Sequence, residues 1–214
     1  MDIKILYEDK HICVCLKPAG VISEDGGMPQ LLSEKLGGSF FCVHRLDKVV
    51  GGVMVYAKTS RAAALLSQMN ADRKLQKHYL AIVPDRLEAP EGVMEDLLYR
   101  DREKNKSFVV KRMRRGVKDA KLEYRTVESR DGLALLIIRL HTGRSHQIRC
   151  QLSSRRCPIM GDGRYGSELR QEDIALWSCS LDFEHPFSHE AMSFSALPEG
   201  GLWEKFEYIS QAQR

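Results

Sequence analysis

The sequence lacks any long hydrophobic run, and no apolar stretch approaches the roughly 20 residues that a transmembrane helix needs. Its first residues, Met1–Lys4, are not followed by the basic and then apolar stretches of a secretory signal. Internal repeats and low-complexity tracts are also absent. We therefore expect a cytoplasmic protein that does not associate with membranes.

The sequence also lacks a C-x-x-C pair, although it contains six cysteines. Disulfides need an oxidising compartment, and no export signal indicates one, so buried free thiols are expected. Zinc is the alternative, because His146 and Cys150 are four residues apart, with His141 and Cys157 nearby. These spacings match no zinc template, and we expect no metal.

The composition is that of an ordinary globular protein, with 43% hydrophobic and 29% charged residues. Such values exclude a disordered chain, a collagen-like fibre and a disulfide-stabilised miniprotein. A chain of 214 residues suits one domain, or one domain with two lobes. We therefore assign residues 1–214 to a single domain.

The apolar pattern predicts more strands than helices, without regular alternation between them. Leu133–Leu140 is a nearly continuous apolar run, which suits a strand buried on both faces. The pattern favours the α+β class, with a large, mixed, mostly antiparallel β-sheet flanked by helices and loops, over a Rossmann-type fold. The other predicted strands are Ile3–Tyr7, Ile12–Leu16, Val53–Ala57, His78–Val83, Ser107–Arg112, Lys121–Val127, Ile174–Phe183 and Met192–Ala196. The predicted helices are Gln30–Leu36, Arg61–Asp72 with Ala62, Leu65, Leu66 and Met69 on one face, and Arg144–Arg155 with Ile148 and Leu152 inward.

Positive charge is concentrated in residues 100–125, called the basic segment below. Eleven Lys or Arg stand there against four acidic residues, a net charge of +7, while the whole chain carries +4. The rest of the chain is therefore mildly acidic, and this asymmetry is typical of a protein that binds a polyanion. A solvated hairpin is the alternative. In either case, the basic segment is predicted to form two strands that pair with each other through a turn at Arg114–Gly116.

Polar residues cluster in four places beside the predicted strands. A carboxylate in a glycine-flanked loop is usually a turn cap, and an arginine at a helix start can bind phosphate or simply cap the helix. Each cluster alone is therefore weak evidence of a site. The four clusters are His44–Asp47, Lys77–Tyr79, Thr142–Arg149 and Pro158–Gly166.

Taken together, these clusters resemble the ordered motifs of the RluA-type RNA pseudouridine synthases. The paired sequences H-R-L-D at residues 44–47 and G-R-S-H-Q-I-R at residues 143–149 are the most specific part of the resemblance. Lys17–Gly20 and Leu181–Pro186 fit the same family, so the resemblance extends over roughly residues 6–186. The chain begins directly in the catalytic domain, so the N-terminal S4 domain of many relatives is expected to be missing.

The resemblance implies isomerisation of uridine to pseudouridine in ribosomal or transfer RNA, in a central active-site cleft. The C1′–N1 bond breaks, the base rotates, and C5 bonds to C1′. Because nothing is oxidised and no group is transferred to another molecule, neither a cofactor nor a metal is expected. A monomer suffices for such a site.

The resemblance also implies the roles of individual residues. Asp47 is the expected catalytic carboxylate, and Arg144 is expected to keep it ionised and to orient it. Tyr79 is expected to stack on the target base. The alternative for Asp47 and Arg144 is a purely structural ion pair. The alternative for Tyr79 is a side chain packed in the core. The expected substrate-binding residues are His44, Arg45, Leu46, His146, Ile148 and Arg149.

The sequence departs from the family pattern just after Asp47. Most relatives have Thr-Ser-Gly-Leu two residues further on, but here Val50 and Gly51 replace both hydroxyl residues. This change bears on turnover and RNA target more than on reaction type. A non-catalytic RNA-binding or ribosome-assembly factor is the alternative function. A hydrolase is less favoured, because no serine or cysteine stands in a G-x-S-x-G elbow.

Overall fold

The computed structural model describes residues 2–167 and 173–212, and the chain packs into two compact units. Unit 1 contains Met1–Lys77 and Trp177–Leu197, and unit 2 contains His78–Leu176 and Pro198–Arg214. The assignment of residues 1–214 to a single domain stays a prediction.

The described residues form eleven strands and four α-helices. The strands are β1 (Ile5–Glu8), β2 (Ile12–Lys17), β3 (Phe41–Cys42), β4 (Gly51–Ala57), β5 (Gln76–Pro84), β6 (Glu91–Asp101), β7 (Lys106–Val110), β8 (Val117–Arg130), β9 (Leu133–Leu140), β10 (Leu176–Glu184) and β11 (Ala191–Ser195). The helices are α1 (Met28–Leu36), α2 (Ser60–Ala71), α3 (Gln147–Ser154) and α4 (Glu207–Ala212), with a 3-10 turn at Gly201–Lys205 before the last.

Unit 1 is built on the strand order β1-β2-β4-β10, with β3 paired to β4 and β11 to β10. The β4–β10 pair is parallel, and the other pairs of this set are antiparallel. Every residue of β4 is buried, as its run of Val53, Met54 and Val55 predicts. This strand forms the centre of the unit 1 core.

Helix α2 covers one side of that core and begins at Ser60, one residue before the predicted start at Arg61. The Thr59 side chain accepts a hydrogen bond from the Ala62 N–H and caps the first turn. Ala62 and Leu66 are fully buried in the core, and Met69 packs against it. Leu65 is exposed, so its predicted place on the buried face is wrong. The face of α2 toward the core therefore consists of Ala62 and Leu66, with Ala63 and Met69 packed beside them.

Unit 2 is built on the strand order β5-β9-β8-β6-β7. The β9–β8, β8–β6 and β6–β7 pairs are antiparallel. Strand β9 is mostly buried, which confirms the prediction from its continuous apolar run. A bulge between Thr126 and Glu128 shifts the register of β8 against β9.

The basic segment does not fold as the predicted hairpin. Both of its strands pair with β6, so Tyr99 of β6 lies between Phe108 of β7 and Val117 of β8. The direct β7–β8 pairing was wrong because β6 was not recognised in the sequence. Strand β7 of the basic segment is therefore the edge strand of unit 2, whereas β8 is an inner strand between β6 and β9.

Helix α3 begins at Gln147, three residues later than predicted, and its residues Gln147–Leu152 are all buried. His146 precedes it in a left-handed conformation with φ of 53°, which ends the loop before the helix. Ile148 and Leu152 point into the core as predicted. Arg144 consequently lies in the loop before the helix.

The described strands and helices confirm the α+β class with a mostly antiparallel set of strands. Across residues 2–167 and 173–212, no helix is long and apolar enough to cross a bilayer. The six cysteines are unpaired and all but Cys42 are buried, which confirms the expected free thiols.

Candidate active site

Asp47 lies in the loop between β3 and β4 of unit 1, and the backbone of this loop is tightly held. The Ser23 hydroxyl accepts a hydrogen bond from the Leu46 N–H at 3.1 Å and donates to the Leu46 carbonyl at 2.9 Å. The Val50 N–H donates to the Asp47 carbonyl at 2.9 Å and closes a turn. The carboxylate of Asp47 is half-buried. The loop therefore presents one carboxylate on a fixed backbone.

Lys17 supplies a buried positive charge behind this loop. Its side chain is inaccessible to solvent, and Nζ donates to the carbonyls of Pro18 and Val21, at 2.9 and 2.7 Å. A third bond, 3.2 Å long, reaches the Lys48 carbonyl next to Asp47. Burial lowers the pKa of Lys17 to about 8, and the charge of Asp47 opposes that shift. The Lys17 ammonium thus holds the loop backbone by hydrogen bonds and is attracted by the negative charge of Asp47.

Sequence reasoning quoted Lys17 within a motif but gave it no role. A usable signal was present, because Lys17 ends β2, whose preceding residues Ile12–Cys15 are all buried. A lysine that continues such a strand needs internal acceptors, because a buried ammonium is costly unless it is hydrogen-bonded.

His44 supports the same loop as a neutral side chain. Its ring is buried, and Nε2 accepts a hydrogen bond from the Val55 N–H at 3.2 Å. Burial, and secondarily the charge of Lys77, hold the pKa of His44 well below its ordinary value. Among the described residues its Nδ1 has no hydrogen-bond partner. These contacts give His44 a structural role, and its predicted contact with substrate stays a prediction.

Arg45 and Leu46 differ in exposure. The guanidinium of Arg45 is exposed and pairs with Glu24 at 2.6 Å. Leu46 is buried. Arg45 can therefore reach a bound molecule from the surface, whereas Leu46 supplies an apolar wall.

Tyr79 and Ile148, both in unit 2, are almost completely buried. Tyr79 is 5% exposed on β5, and Ile148 is 4% exposed on α3. Burial fits an apolar site wall and also a core position, so the stacking role of Tyr79 stays a prediction.

Arg144, in unit 2, binds Asp119. Its Nε donates to the Asp119 carbonyl at 2.7 Å, and Nη2 donates to the Asp119 carboxylate at 3.2 Å. Sequence reasoning missed Asp119, which is far from Arg144 in the chain. The proposed pairing of Arg144 with Asp47 stays a prediction, and it requires the guanidinium to change or share its partner.

Gln147 organises the loop that carries Arg144. Its Oε1 accepts hydrogen bonds from the Thr142 hydroxyl at 2.8 Å and from the Arg144 N–H at 3.0 Å. Its Nε2 donates to the Lys121 carbonyl at 3.1 Å. Because the side chain is buried, these bonds fix the path of the backbone through Arg144.

His146 is held against Tyr165 of the fourth sequence cluster. The two rings form an edge-on contact, and His146 Nδ1 lies 3.1 Å from the Tyr165 hydroxyl. Arg100 Nη1 lies 3.4 Å from the same nitrogen. The Tyr165 hydroxyl also accepts a hydrogen bond from the Ser107 N–H at 2.7 Å, and burial raises the Tyr165 pKa to about 12. His146 is therefore linked to the start of β7.

Arg149 forms a buried ion pair with Asp162. Its Nε and Nη2 donate to the two carboxylate oxygens at 2.7 and 2.8 Å. Both side chains are nearly inaccessible to solvent. The pair joins α3 to the fourth cluster, and a phosphate contact by Arg149 would require this pair to open.

In the described ranges 2–167 and 173–212, no three His, Cys, Asp or Glu side chains are grouped so that they could hold a metal ion. The thiol of Cys150, considered above as a zinc ligand, donates to the Ser107 carbonyl at 3.3 Å.

Comparison with known proteins assigns these motifs to a family. The model of the RNA pseudouridylate synthase family matches residues 11–154, which include Asp47, Tyr79 and Arg144. A dual-specificity RNA pseudouridine synthase RluA from Haemophilus influenzae is 31% identical, with 90% of this chain and 91% of that protein aligned. A ribosomal large subunit pseudouridine synthase D from Nitrosomonas europaea is 33% identical over 93% of this chain. This chain spans only 63% of the length of the latter protein.

Solved structures share the fold. The human RNA pseudouridylate synthase domain containing 1 superposes with a TM-score of 0.78, at 20% identity, over 92% of this chain and 84% of that one. The human domain-containing protein 4 gives a TM-score of 0.76, at 23% identity, over 91% and 88%.

The chain therefore belongs to the RNA pseudouridylate synthase family, and within it to the RluA type. It is an isomerase that converts uridine to pseudouridine in RNA. Neither the comparisons nor the described residues favour the non-catalytic alternative.

Proposed function

We propose that Asp47 carries out this isomerisation, with Arg144 and Tyr79 as its partners, on uridines of ribosomal or transfer RNA. The observation that carries the proposal is the loop of Asp47. Ser23 and Lys17 hold its backbone on both sides of the carboxylate, so the chain fixes a single acidic group. A carboxylate is a weak nucleophile, and its rate depends on placement more than on basicity.

The reaction conserves atoms and electrons. The ionised Asp47 carboxylate attacks the sugar or base, or removes a proton, and the glycosidic bond from C1′ to N1 breaks. The detached uracil turns, C5 bonds to C1′, and any bond that Asp47 has formed with the sugar or base breaks, which restores the carboxylate. The proton at C5 is lost while N1 gains one. Neither a metal nor a redox cofactor is required by this balance.

Arg144 serves as the orienting cation. A guanidinium offers a planar pair of donors to a carboxylate, which a lysine does not. Asp119 now accepts these donors, and Asp119 is the more exposed partner, at 65% against 30% for Arg144. An exposed pair of this kind contributes at most about 1 kcal/mol, so exchange of Asp119 for another carboxylate costs little.

Tyr79, Leu46 and Ile148 form the apolar walls. Their buried side chains offer few donors or acceptors to the detached uracil and exclude water from it. The phenol of Tyr79 lies over the base and carries the C5 proton at the end of the reaction.

RNA is bound through the basic segment, and the target nucleotide flips out of its stack. A stacked uridine cannot reach a carboxylate in a loop, so the base must leave the helix. The exposed Arg45 fills the vacated space or clamps a phosphate, and His146 and Arg149 are secondary candidates for phosphate contacts.

The names of two relatives support ribosomal or transfer RNA as the substrate class. One carries the name of a ribosomal large subunit enzyme and another that of a dual-specificity enzyme. We place the protein in the cytoplasm as a monomer that uses no cofactor and no metal.

Carbodiimide mapping of cellular RNA tests the proposal. Total RNA from cells with and without the gene is treated and sequenced at nucleotide resolution. At least one pseudouridine in ribosomal or transfer RNA is expected to disappear and to return with the wild-type gene but not with Asp47→Asn. An unchanged map would contradict the proposal.

A further inference from the structure

Unit 2 contains a cavity of about 430 Å³ that the proposed reaction does not use. Its volume falls in the range of pockets that hold small ligands. The cavity lies at the ends of β5 and α3 and the start of β9. The lining residues that carry the argument are Pro84, Arg86, Leu133, Arg156, Pro158 and Met160.

The cavity shares Tyr165 with the surroundings of His146 but lies at the opposite ends of β5 and α3 from Tyr79 and Arg144. Pro84 follows Tyr79 by five residues on β5, which corresponds to about 17 Å along a strand. Arg156 follows the C-terminal end of α3, whereas Arg144 precedes the N-terminal end. A ligand in this cavity therefore does not occupy the position of the reacting uridine.

Two arginines give the cavity a positive charge. The side chains of Arg86 and Arg156 are both exposed, and neither guanidinium forms a hydrogen bond or ion pair with a described residue. None of the described residues that line the cavity is acidic. Two unneutralised guanidiniums beside one concave surface favour an anion, and their planar donors suit phosphate oxygens.

The remaining wall is apolar. Pro84, Leu133, Pro158 and Met160 offer carbon surface, and Met160 is almost fully buried. This wall suits the flat, weakly polar face of a sugar or base next to the phosphate. A bare inorganic anion would leave most of the cavity unfilled.

We propose that this cavity binds a nucleotide of the RNA substrate that flanks the modified uridine, with its phosphate on Arg86 and Arg156 and its nucleoside against the apolar wall. The inference rests on the proposed function, because that function makes RNA the polyanion that the protein meets. It adds a second contact that fixes how the RNA is placed on unit 2.

The test measures fluorescence anisotropy with a labelled 12-residue oligoadenylate, which contains no uridine and cannot be isomerised. The variant is Arg86→Ala/Arg156→Ala. The control is Lys10→Ala/Arg139→Ala, which removes two positive charges from exposed side chains elsewhere. Thermal unfolding checks that both variants fold.

We expect the Arg86→Ala/Arg156→Ala variant to bind about tenfold more weakly than wild type, because charged hydrogen bonds to phosphate are lost. The slope of log K against log salt should fall by about 1, as expected for one or two phosphate contacts on a single strand. The control should lose less than about threefold, since only diffuse charge is removed. Equal losses in the variant and the control would overturn the proposal.

A second arm separates RNA from a free nucleotide by calorimetric titration with uridine 5′-monophosphate. Loss of monophosphate binding in the Arg86→Ala/Arg156→Ala variant, with oligoadenylate binding unchanged, would overturn the RNA assignment. Absence of pseudouridine formation by the wild type would contradict the proposed function but leave the oligoadenylate result interpretable.

Discussion

Two buried basic side chains, Lys17 and His44, shape the loop of Asp47, and burial lowers the pKa of both. Lys17 stays protonated at neutral pH because its pKa is about 8, whereas His44 is neutral. The cation binds carbonyls and the neutral ring accepts an N–H, so each protonation state matches its partners. The stability of the protein should therefore depend on pH in acid through His44 and above neutral pH through Lys17.

His44 is expected to make the protein less stable in acid. Because its folded pKa lies below the unfolded value near 6.5, the unfolded chain binds the extra proton first and stability falls below that pH. His44→Gln keeps an acceptor for the Val55 N–H but does not titrate. Between pH 7.5 and 5.5 the free energy of unfolding of wild type should fall by about 1.4 kcal/mol more than that of the variant. Urea unfolding measures this; parallel curves would contradict the role of His44.

Lys17→Met is expected to destabilise the protein by about 2–4 kcal/mol at pH 7, because buried carbonyls lose their donor. Since the Lys17 pKa is about 8 when folded and near 10.5 when unfolded, the unfolded chain retains the proton as pH rises. Wild type should therefore gain about 2 kcal/mol over the variant between pH 7 and 9.5.

Lys10→Met provides the control for Lys17→Met, because Lys10 is exposed. Urea unfolding of the control should match wild type within about 0.5 kcal/mol. If Lys17→Met behaved like the control, the buried ammonium would have no part in holding the loop.

The site motifs could be read from the sequence, but the partners of their side chains could not. Asp119, Asp162 and Gln147 hold the motif residues through contacts between distant parts of the chain. Such contacts depend on which strands pair, and this pairing was partly misread. Role assignments came from the resemblance, whereas supporting contacts came from the structure.

At the scale of elements, long apolar strands were predicted well and β6 was missed. Residues 91–101 contain four acidic residues and only irregular burial, so the apolar alternation of a strand is weak. The strand is stable because β7 and β8 flank it on both sides. Without β6 in the pattern, the two basic strands could only be paired with each other.

The parallel β4–β10 pair depends on Gly52. A Cβ on Gly52 would lie 2.2 Å from the Ser178 carbonyl oxygen, and φ is +126°. Gly52→Ala should therefore cost about 3 kcal/mol or more, because both the contact and the backbone conformation are unfavourable.

Gly163→Ala is the matched control, since a Cβ there meets nothing within 4 Å. It should change the free energy of unfolding by less than about 0.5 kcal/mol. Thermal unfolding of both variants measures the difference. Equal stabilities would show that β4 and β10 do not approach as closely as described.

At the scale of the whole molecule, charge is divided between a basic segment of net +7 and a mildly acidic remainder. The exposed side chains of Lys111, Arg112 and Arg115 lie in this segment. RNA affinity should therefore fall steeply with salt, because phosphate contacts release counterions.

Replacing Lys111, Arg112 and Arg115 with Gln should reduce the slope of log K against log salt by about 2. Replacing the exposed Lys4, Lys10 and Lys74 of unit 1 with Gln removes the same charge. This control should leave the slope nearly unchanged. Filter binding of an RNA hairpin over a range of salt concentrations measures both slopes. Equal slopes for the variant and the control would show that the basic segment does not bind RNA.

The most direct test of the account is tritium release from RNA labelled at C5 of uridine, since C5 loses its hydrogen when it bonds to C1′. Wild type is expected to release tritium, whereas Asp47→Asn should fold, bind RNA with near wild-type affinity and release none. A tenfold loss of rate corresponds to about 1.4 kcal/mol of transition-state stabilisation. Tritium release by Asp47→Asn at more than about a tenth of the wild-type rate would therefore contradict the central role of Asp47.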